Sequence, residues 1–360
     1  MGTTVHTLTI IRANQALIPL PPIEEQHRIV QKVNELMALC DRLEQQTSDQ
    51  LEAHETLVDT LLSTLTQSEN ATELADNWAR LAAHFDTLFT TEQSIDKLKQ
   101  TILQLAVMGR LVEQDAGDEP AEVTLSRTSI RQDETPNAVL KKREKLGPPM
   151  DAEIPFTLPK GWKWARFIDI SINYSVGLDK GKSKQGDNKQ YRYFKMNNIL
   201  NSGGYQLDDI VSVDATIDEV SRYSLSSGDF LFNTRNSKEL VGKTCVYTHD
   251  GGAPVLYNNN VLKAKFSNTE TAHFIDIWMR SSEGKRKLEE IKSGTTNVWA
   301  IYQGKLETLP CPFPPIEEQQ RIVRKVHELT ALCEQLKERL NQASETRCHL
   351  AEAVVEGALN

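Results

Sequence analysis

The apolar positions of this chain follow two rhythms. From Ile29 they recur at heptad spacing through Val33, Leu36, Cys40 and Leu43, and resume after a polar interruption at Leu57 and Leu61. The same rhythm returns near the C-terminus at Ile322, Val326, Leu329, Cys333, Leu336 and Leu340, with Leu350 and Val354 beyond. Steps of four and three put these side chains on one stripe, the mark of a helix that buries a seam against another helix. Pro22 and Pro315 suit a first helical turn, where the missing N–H costs nothing, and Glu24-Glu25 and Glu317-Glu318 complement the helix dipole. A further helix is predicted from about Gln93 to Val112, with Ile95, Leu98, Ile102, Leu105 and Ala106 on one face. Thr90 with Gln93 forms its capping box and Gly109 its C-terminal cap.

Between Trp162 and Leu309 the rhythm changes. Short β-like runs (YRYFKM, DFLFNT, TCVYTH, PVLYNN, LKAKF) alternate with Gly, Asn, Asp and Ser turns, and Ala272 to Lys292 reads as helix. This is the pattern of a mixed α/β domain. From Glu113 to Pro159 the chain is polar and studded with prolines, which predicts a linker or extended arm, with a short helix around Ala138 to Lys145.

The two seams belong to a longer repeat. PLPPIEEQHRIVQKVNELMALC and PFPPIEEQQRIVRKVHELTALC open an alignment that agrees at about 18 of 25 positions, roughly 290 residues apart. The likeness runs backwards out of the helix: GTTVHTLTIIRANQALIPLPPIEEQ matches GTTNVWAIYQGKLETLPCPFPPIEEQ with about one gap. The expected fold class is therefore α+β: one mixed α/β domain flanked by long helices that form an antiparallel coiled coil, with each other or with copies in a second chain. The expected organisation is a C-terminal remnant of a first domain at 1–18, a spacer helix at 19–68, a helical segment at 69–112, an arm at 113–155, the α/β domain at 156–311 and a second spacer helix at 312–360.

Composition narrows the function classes. No run approaches the ~20 apolar residues of a membrane span, and the N-terminus has no basic region followed by an apolar stretch. The five cysteines show no CxxC and no metal-like spacing, and Cys40 and Cys333, in one slot of the repeat, read as small core residues. A reducing cytoplasm fits. The net charge of −9 is unevenly spread: Phe156 to Cys311 carries 21 Lys+Arg against 17 Asp+Glu, the remainder 20 against 33. An acidic frame thus holds a middle section with a basic edge, densest from Lys160 to Lys195.

Catalytic motifs are missing. Gly177 to Ser183 nearly spells a phosphate loop but has three residues between its glycines where four are required. HExxH, GxSxG and GxGxxG are absent, and no Pro-Pro pair follows Asn or Asp as a base-gripping methyltransferase motif requires. Binding chemistry remains. Lys180, Lys182, Lys184, Lys189 and Arg192 cluster in a Gly-rich stretch and are candidates for phosphate contacts, which give affinity without sequence information. Base reading needs groups that match base edges. The candidates are Asn233, Arg235, Asn236 and Lys238 in FNTRNSKELVGK, then Asn258, Asn259 and Asn260, and Thr295, Thr296 and Asn297. The competing account of such Asn-rich loops is turn formation, since Asn tolerates left-handed backbone.

At these residues the chain resembles type I restriction-modification specificity subunits, HsdS. LPKGWKW at Leu158–Trp164 resembles the opening of a target recognition domain, and SSGDFLFNTRNSKELVGKTCVY its central Gly228-Asp229 turn. SGTTNVWAIYQGKLETLPCPFPPIEEQQRIVRKV resembles the exit of that domain into a spacer helix, and SIDKLKQTILQLAVMGRLVEQDAGDEPA the helix preceding such domains in one branch. The resemblance implies a DNA-binding, non-catalytic subunit. Such subunits carry two recognition domains, each reading half of a split site, and paired helices that fix their spacing. Partner methyltransferase subunits modify adenine with S-adenosylmethionine, and restriction subunits use ATP and Mg to cleave. This chain departs from the family in holding one complete domain. It is expected either to dimerise as a half-subunit on a palindromic split site or, alternatively, to be an assembly scaffold that pairs with the methyltransferase without reading DNA.

Overall fold

The computed structural model describes residues 19–68, 71–134, 146–295 and 298–359. The helices are α1 (Ile23–Gln67), α2 (Ala71–Ala83), α3 (Phe85–Leu88), α4 (Glu92–Val107), α5 (Ala121–Glu134), α6 (Phe167–Ile170), α7 (Ile217–Tyr223), α8 (Thr269–Arg280), α9 (Ser282–Ile291), α10 (Gln303–Glu307) and α11 (Ile316–Leu359). The strands are β1 (Lys163–Arg166), β2 (Ser171–Val176), β3 (Gln185–Gly186), β4 (Tyr191–Phe194), β5 (Ser212–Val213), β6 (Phe230–Asn233), β7 (Arg235–Asn236), β8 (Thr244–Val246), β9 (Val255–Tyr257), β10 (Val261–Phe266), β11 (Ser293–Gly294), β12 (Trp299–Ala300) and β13 (Pro310–Phe313). The expected remnant at 1–18 and the helix around Ala138 to Lys145 lie outside the described residues. The chain divides into two units, Met1–Val58 and Asp59–Asn360.

In the first unit α1 presents its heptad positions Ile29, Val33, Leu36, Cys40 and Leu43 to solvent. The expectation that Cys40 is a core residue is corrected: its thiol slot is exposed, whereas Cys333 in the matching slot is buried.

In the second unit the seam of α11 is covered. Ile322, Val326 and Cys333 are buried and Leu329 and Leu336 half-buried, with α4 and α8 as the packing partners. Lys99 of α4 pairs with Glu334, and Asp96, one turn earlier, pairs with Lys337, one turn later, at 2.6 Å. The order of these pairs makes α4 and α11 antiparallel. A heptad stripe states that a helix needs a partner and leaves open which one; here α4 supplies it. Beyond Leu340 the stripe runs into solvent, so Leu350 and Val354 are exposed.

Helix α4 begins one residue away from its expected cap: Thr91 accepts from the Ser94 N–H, and Ser94 returns the bond. It ends at Gly109 as expected. Gly109 has φ 68°, its N–H reaches the Ala106 carbonyl and Arg110 N–H reaches Leu105, the paired bonds of a Schellman cap. Arg110 then donates to the carbonyls of Thr66 and Ser68 at the end of α1. The polar stretch expected as an arm contains α5. Its buried face is built from Ala121, Thr124 and Thr128, too small and polar to register as an apolar stripe, and Gln132 bonds the carbonyls of Ile168 and Ser171.

The α/β domain is organised on a four-stranded antiparallel sheet ordered β2-β10-β6-β8. The all-buried run Phe230–Asn233 lies inside it, as a short apolar strand covered on both faces does. Helix α8, with Phe274, Ile275, Ile277 and Trp278 buried, packs on β6, β8 and β10. A second sheet, β3-β5-β4-β9, includes the parallel pair β4/β9 and shares the buried cluster of Phe194, Leu231, Cys245 and Tyr257. The expected helix from 272 to 292 is two helices, broken at Ser281, whose hydroxyl caps α9 at Gly284 N–H. Gly284 is obligatory there, because a Cβ would lie 1.8 Å from the Trp278 carbonyl oxygen.

Candidate nucleic-acid interface

The register of the main sheet gathers the loops with binding potential at one end. Val261 opens β10 opposite Asn233, the last residue of β6, and Leu262 lies opposite Val176, the last residue of β2. Thr244 opens β8 opposite Phe232. The segments 177–184, 234–243 and 258–260 therefore leave the sheet together. The Gly228-Asp229 turn lies at the opposite end, where Asp229 accepts from Ser226 N–H at 2.8 Å and sits beside Lys263 at 3.6 Å. Burial pushes the Asp229 carboxyl up, and the two nearby lysines oppose that shift.

At the loop end, Arg235 and Asn236 form β7 and pair with β12, Asn236 opposite Trp299 and Arg235 opposite Ala300. Strand β12 pairs in turn with β11, giving a small sheet β11-β12-β7 that brings segments about 60 residues apart in sequence to one surface. The Lys238 ammonium lies 5.1 Å from the centre of the Trp299 ring, a cation–π distance. Thr234 ties the neighbouring loop by donating from its N–H and its hydroxyl to the Asn260 carbonyl at 2.9 and 3.0 Å, and its own carbonyl receives Ile301 N–H. Arg235, Lys238 and Thr295 are exposed on this surface and Asn236 is half-buried.

Several expected readers are corrected by where their polar atoms go. Asn233 is fully buried; its Nδ2 donates to the Leu240 carbonyl and its Oδ1 receives Arg235 N–H. Asn258 is buried, donating to the Tyr193 hydroxyl and receiving Asn260 N–H. Both hold loops closed and present no amide edge. Asn259 is half-buried with its N–H on the Leu178 carbonyl, and the Asn260 amide faces the Met196 sulfur at 3.7 Å. Thr296 and Asn297 lie outside the described residues.

The phosphate candidates divide likewise. Lys180 is bound to both oxygens of Glu219 at 2.9 and 3.0 Å, and Lys189 pairs with Asp214 at 2.6 Å. The backbone N–H of Thr216, then Lys180, holds the Glu219 carboxyl below its usual range; Lys189 does so for Asp214. Arg192 is half-buried in β4 and donates to the Leu207 carbonyl. Lys182 and Lys184 stand exposed on a single 3₁₀ turn. Trp299 was not singled out by sequence; an aromatic residue two places beyond a Thr-Thr-Asn run is the signal from which it was available. Among the described residues no group of three or more His, Cys, Asp or Glu is placed to hold a metal ion, and no helix is long and apolar enough to cross a membrane.

The type I restriction modification DNA specificity domain matches residues 159–345, the α/β domain and the first two thirds of α11. The EcoAI specificity subunit of Escherichia coli is 40% identical over 95% of this chain and 58% of its own length. The EcoEI specificity subunit of Escherichia coli is 38% identical over the same shares. A chain from a solved type I R-M system is 19% identical at a TM-score of 0.49, over 99% of this chain and 64% of that one. The chain belongs to the type I restriction-modification DNA specificity family. It spans somewhat over half the length of the curated relatives it matches.

Proposed function

We propose that the chain is the non-catalytic, sequence-specific DNA-binding subunit of a type I restriction-modification complex, directing adenine methylation and restriction by partner subunits. One observation carries this reading: the sheet end that gathers Arg235, Asn236, Lys238 and Thr295 into one surface, inside the segment that matches the family. The exposed Arg235 offers the donor pair that a base edge requires, Asn236, whose Oδ1 receives Ser237 N–H at 2.9 Å, adds an amide donor, and the lysines nearby supply phosphate attraction. Methyl transfer from S-adenosylmethionine and ATP- and Mg-dependent cleavage then belong to the partner subunits. The exposed stripe of α1 supports assembly with a methyltransferase subunit or with a second copy, which would read a palindromic split site.

The test is genome-wide mapping of N6-methyladenine with and without this gene, beside DNA binding by the chain and its methyltransferase. Loss of one methylated motif with the gene, and sequence-selective retention at moderate salt, is the expected result. Assembly with the methyltransferase but no selective DNA retention would replace this reading with that of a scaffold.

A further inference from the structure

Beside the small sheet lies a cleft of about 650 Å³ that base reading leaves unexplained. It is walled by the 200–203 loop, the 238–244 segment and the facing sides of α8 and α9. Five cationic side chains line it, Lys238, Lys243, Arg280, Lys285 and Lys292, against the two carboxylates of Glu239 and Glu289. The way these cations are held matters. Lys243 donates to the Ile199 carbonyl, Arg280 to the Ser202 carbonyl at 2.7 Å, Lys292 to the Lys238 carbonyl at 2.9 Å, and Lys285 to the Gln100 amide oxygen at 3.0 Å. Neutral acceptors orient a cation without cancelling its charge. Carboxylates reach three of the five: Asp276 pairs with Arg280 from behind, and Glu289 serves both Lys292 and, at 3.7 Å, Lys238. A positive surplus therefore remains in the cleft. Gly203 lies flat on Arg280, since a Cβ there would stand 2.2 Å from Cζ, so the loop fixes the guanidinium. Desolvation pushes the Lys243 ammonium below its usual range, which an arriving anion would reverse.

We propose that this cleft grips the phosphodiester backbone of duplex DNA adjoining the bases read at β7 and β12. The inference rests on the proposed function and deepens it by assigning a positioning site separate from Lys182 and Lys184. Continuity supports it: Lys238 belongs to both surfaces, and Lys292 is bonded to the Lys238 carbonyl. A free nucleotide fits less well. Among the described residues no aromatic side chain lines the cleft to stack a base, and the N–H groups of Leu240, Val241 and Gly242 are spent on the Ser237 and Asn233 carbonyls. What remains is side-chain charge, the means by which phosphates position a protein on a duplex.

The experiment measures binding of a labelled random-sequence duplex to the full chain with its methyltransferase, by fluorescence anisotropy across a potassium chloride series. Each phosphate contact contributes about 0.9 to the slope of log affinity against log salt. Lys285→Gln with Lys292→Gln is expected to lower that slope by about 2, and Lys243→Gln by about 1, equally on all sequences. Lys243→Arg should restore it. Lys285 is exposed, so Lys285→Gln alone serves as a test that folding does not confound. Unchanged slopes in the cleft variants, with a reduced slope in Lys182→Gln/Lys184→Gln, overturn the cleft and leave the DNA-binding reading standing. No binding by the unmodified assembly overturns both. Calorimetry with inorganic phosphate and with ATP forms the second arm: saturable heat lost in Lys285→Gln/Lys292→Gln, without any change in DNA slope, gives the cleft to a free phosphate ligand instead.

Discussion

The indole N–H of Trp162 donates to Oε2 of Glu318 at 2.7 Å, joining the entrance of the α/β domain to the first turn of the helix that leaves it. Glu318 is buried, also receives the Gln114 amide, and has Gln319 beside it, which accepts from the Thr271 hydroxyl at 2.8 Å. The PPIEEQ phrase is thus a joint: its Glu and Gln clamp the α/β domain onto α11. In α1 the matching Gln26 makes the same local bond to the carbonyl five residues back, at 2.8 Å in both copies.

Replacing Trp162 by Phe removes that donor and leaves a buried carboxylate oxygen short of a partner. The expected cost is about 1–3 kcal/mol of unfolding free energy. Urea denaturation should show a lower midpoint with an unchanged slope; an unmoved midpoint would mean that the joint contributes nothing to stability.

The same carboxylate sets a pH dependence. Burial raises the Glu318 pKa above its ordinary 4.5, with the Trp162 and Gln114 bonds opposing. A carboxyl that holds its proton more tightly when folded stabilises the fold below its unfolded pKa, and that contribution is lost as pH rises through the folded pKa. Stability attributable to Glu318 should therefore fall on going from acid toward neutral, and Glu318→Gln should flatten that part of the curve. Thermal midpoints of both proteins across that range provide the measurement.

Gly284→Ala tests the break between α8 and α9. The added methyl meets the Trp278 carbonyl oxygen, so α9 must shift and the Ser281 cap is disturbed. Overpacking of this kind costs about 1–3 kcal/mol or more. Because α9 forms one wall of the basic cleft, the variant is also expected to weaken DNA binding, which separates it from Trp162→Phe in an anisotropy assay.

On the interface, Arg235→Ala and Asn236→Ala should relax sequence choice, with about 1–3 kcal/mol of discrimination lost for each true base contact. Lys182→Ala with Lys184→Ala should weaken binding to every sequence alike and flatten its salt dependence. Competition binding with a library of duplexes distinguishes the two; identical behaviour would collapse the division between readers and phosphate contacts.

Much of the architecture was legible in the chain because periodicity reports burial. YRYFKM, DFLFNT, TCVYTH, PVLYNN and LKAKF each become a strand, and the Gly109 cap stands where its position past the last periodic residue put it. What periodicity does not encode is identity of the neighbour. The α11 stripe is correct as a buried stripe, yet nothing in its spacing names α4. Helix α5 escaped because its buried face is Ala and Thr. The candidate site was half visible for a related reason: an Asn that closes a turn and an Asn at a sheet edge look alike in sequence until burial places Asn233 and Asn258 inside and the strand pairing places Asn236 at the edge.

The charge order along the α4–α11 pair has a mechanical result. Asp96 faces Lys337 and Lys99 faces Glu334, so slipping either helix by one turn would bring lysine against lysine or carboxylate against carboxylate. The alternating charges thus disfavour a slipped register and add to the buried stripe of Ile322, Val326 and Cys333 in aligning the two rods. The exposed end of α11 beyond Leu340 therefore leaves the domain from a position that the pairs on α4 help to fix.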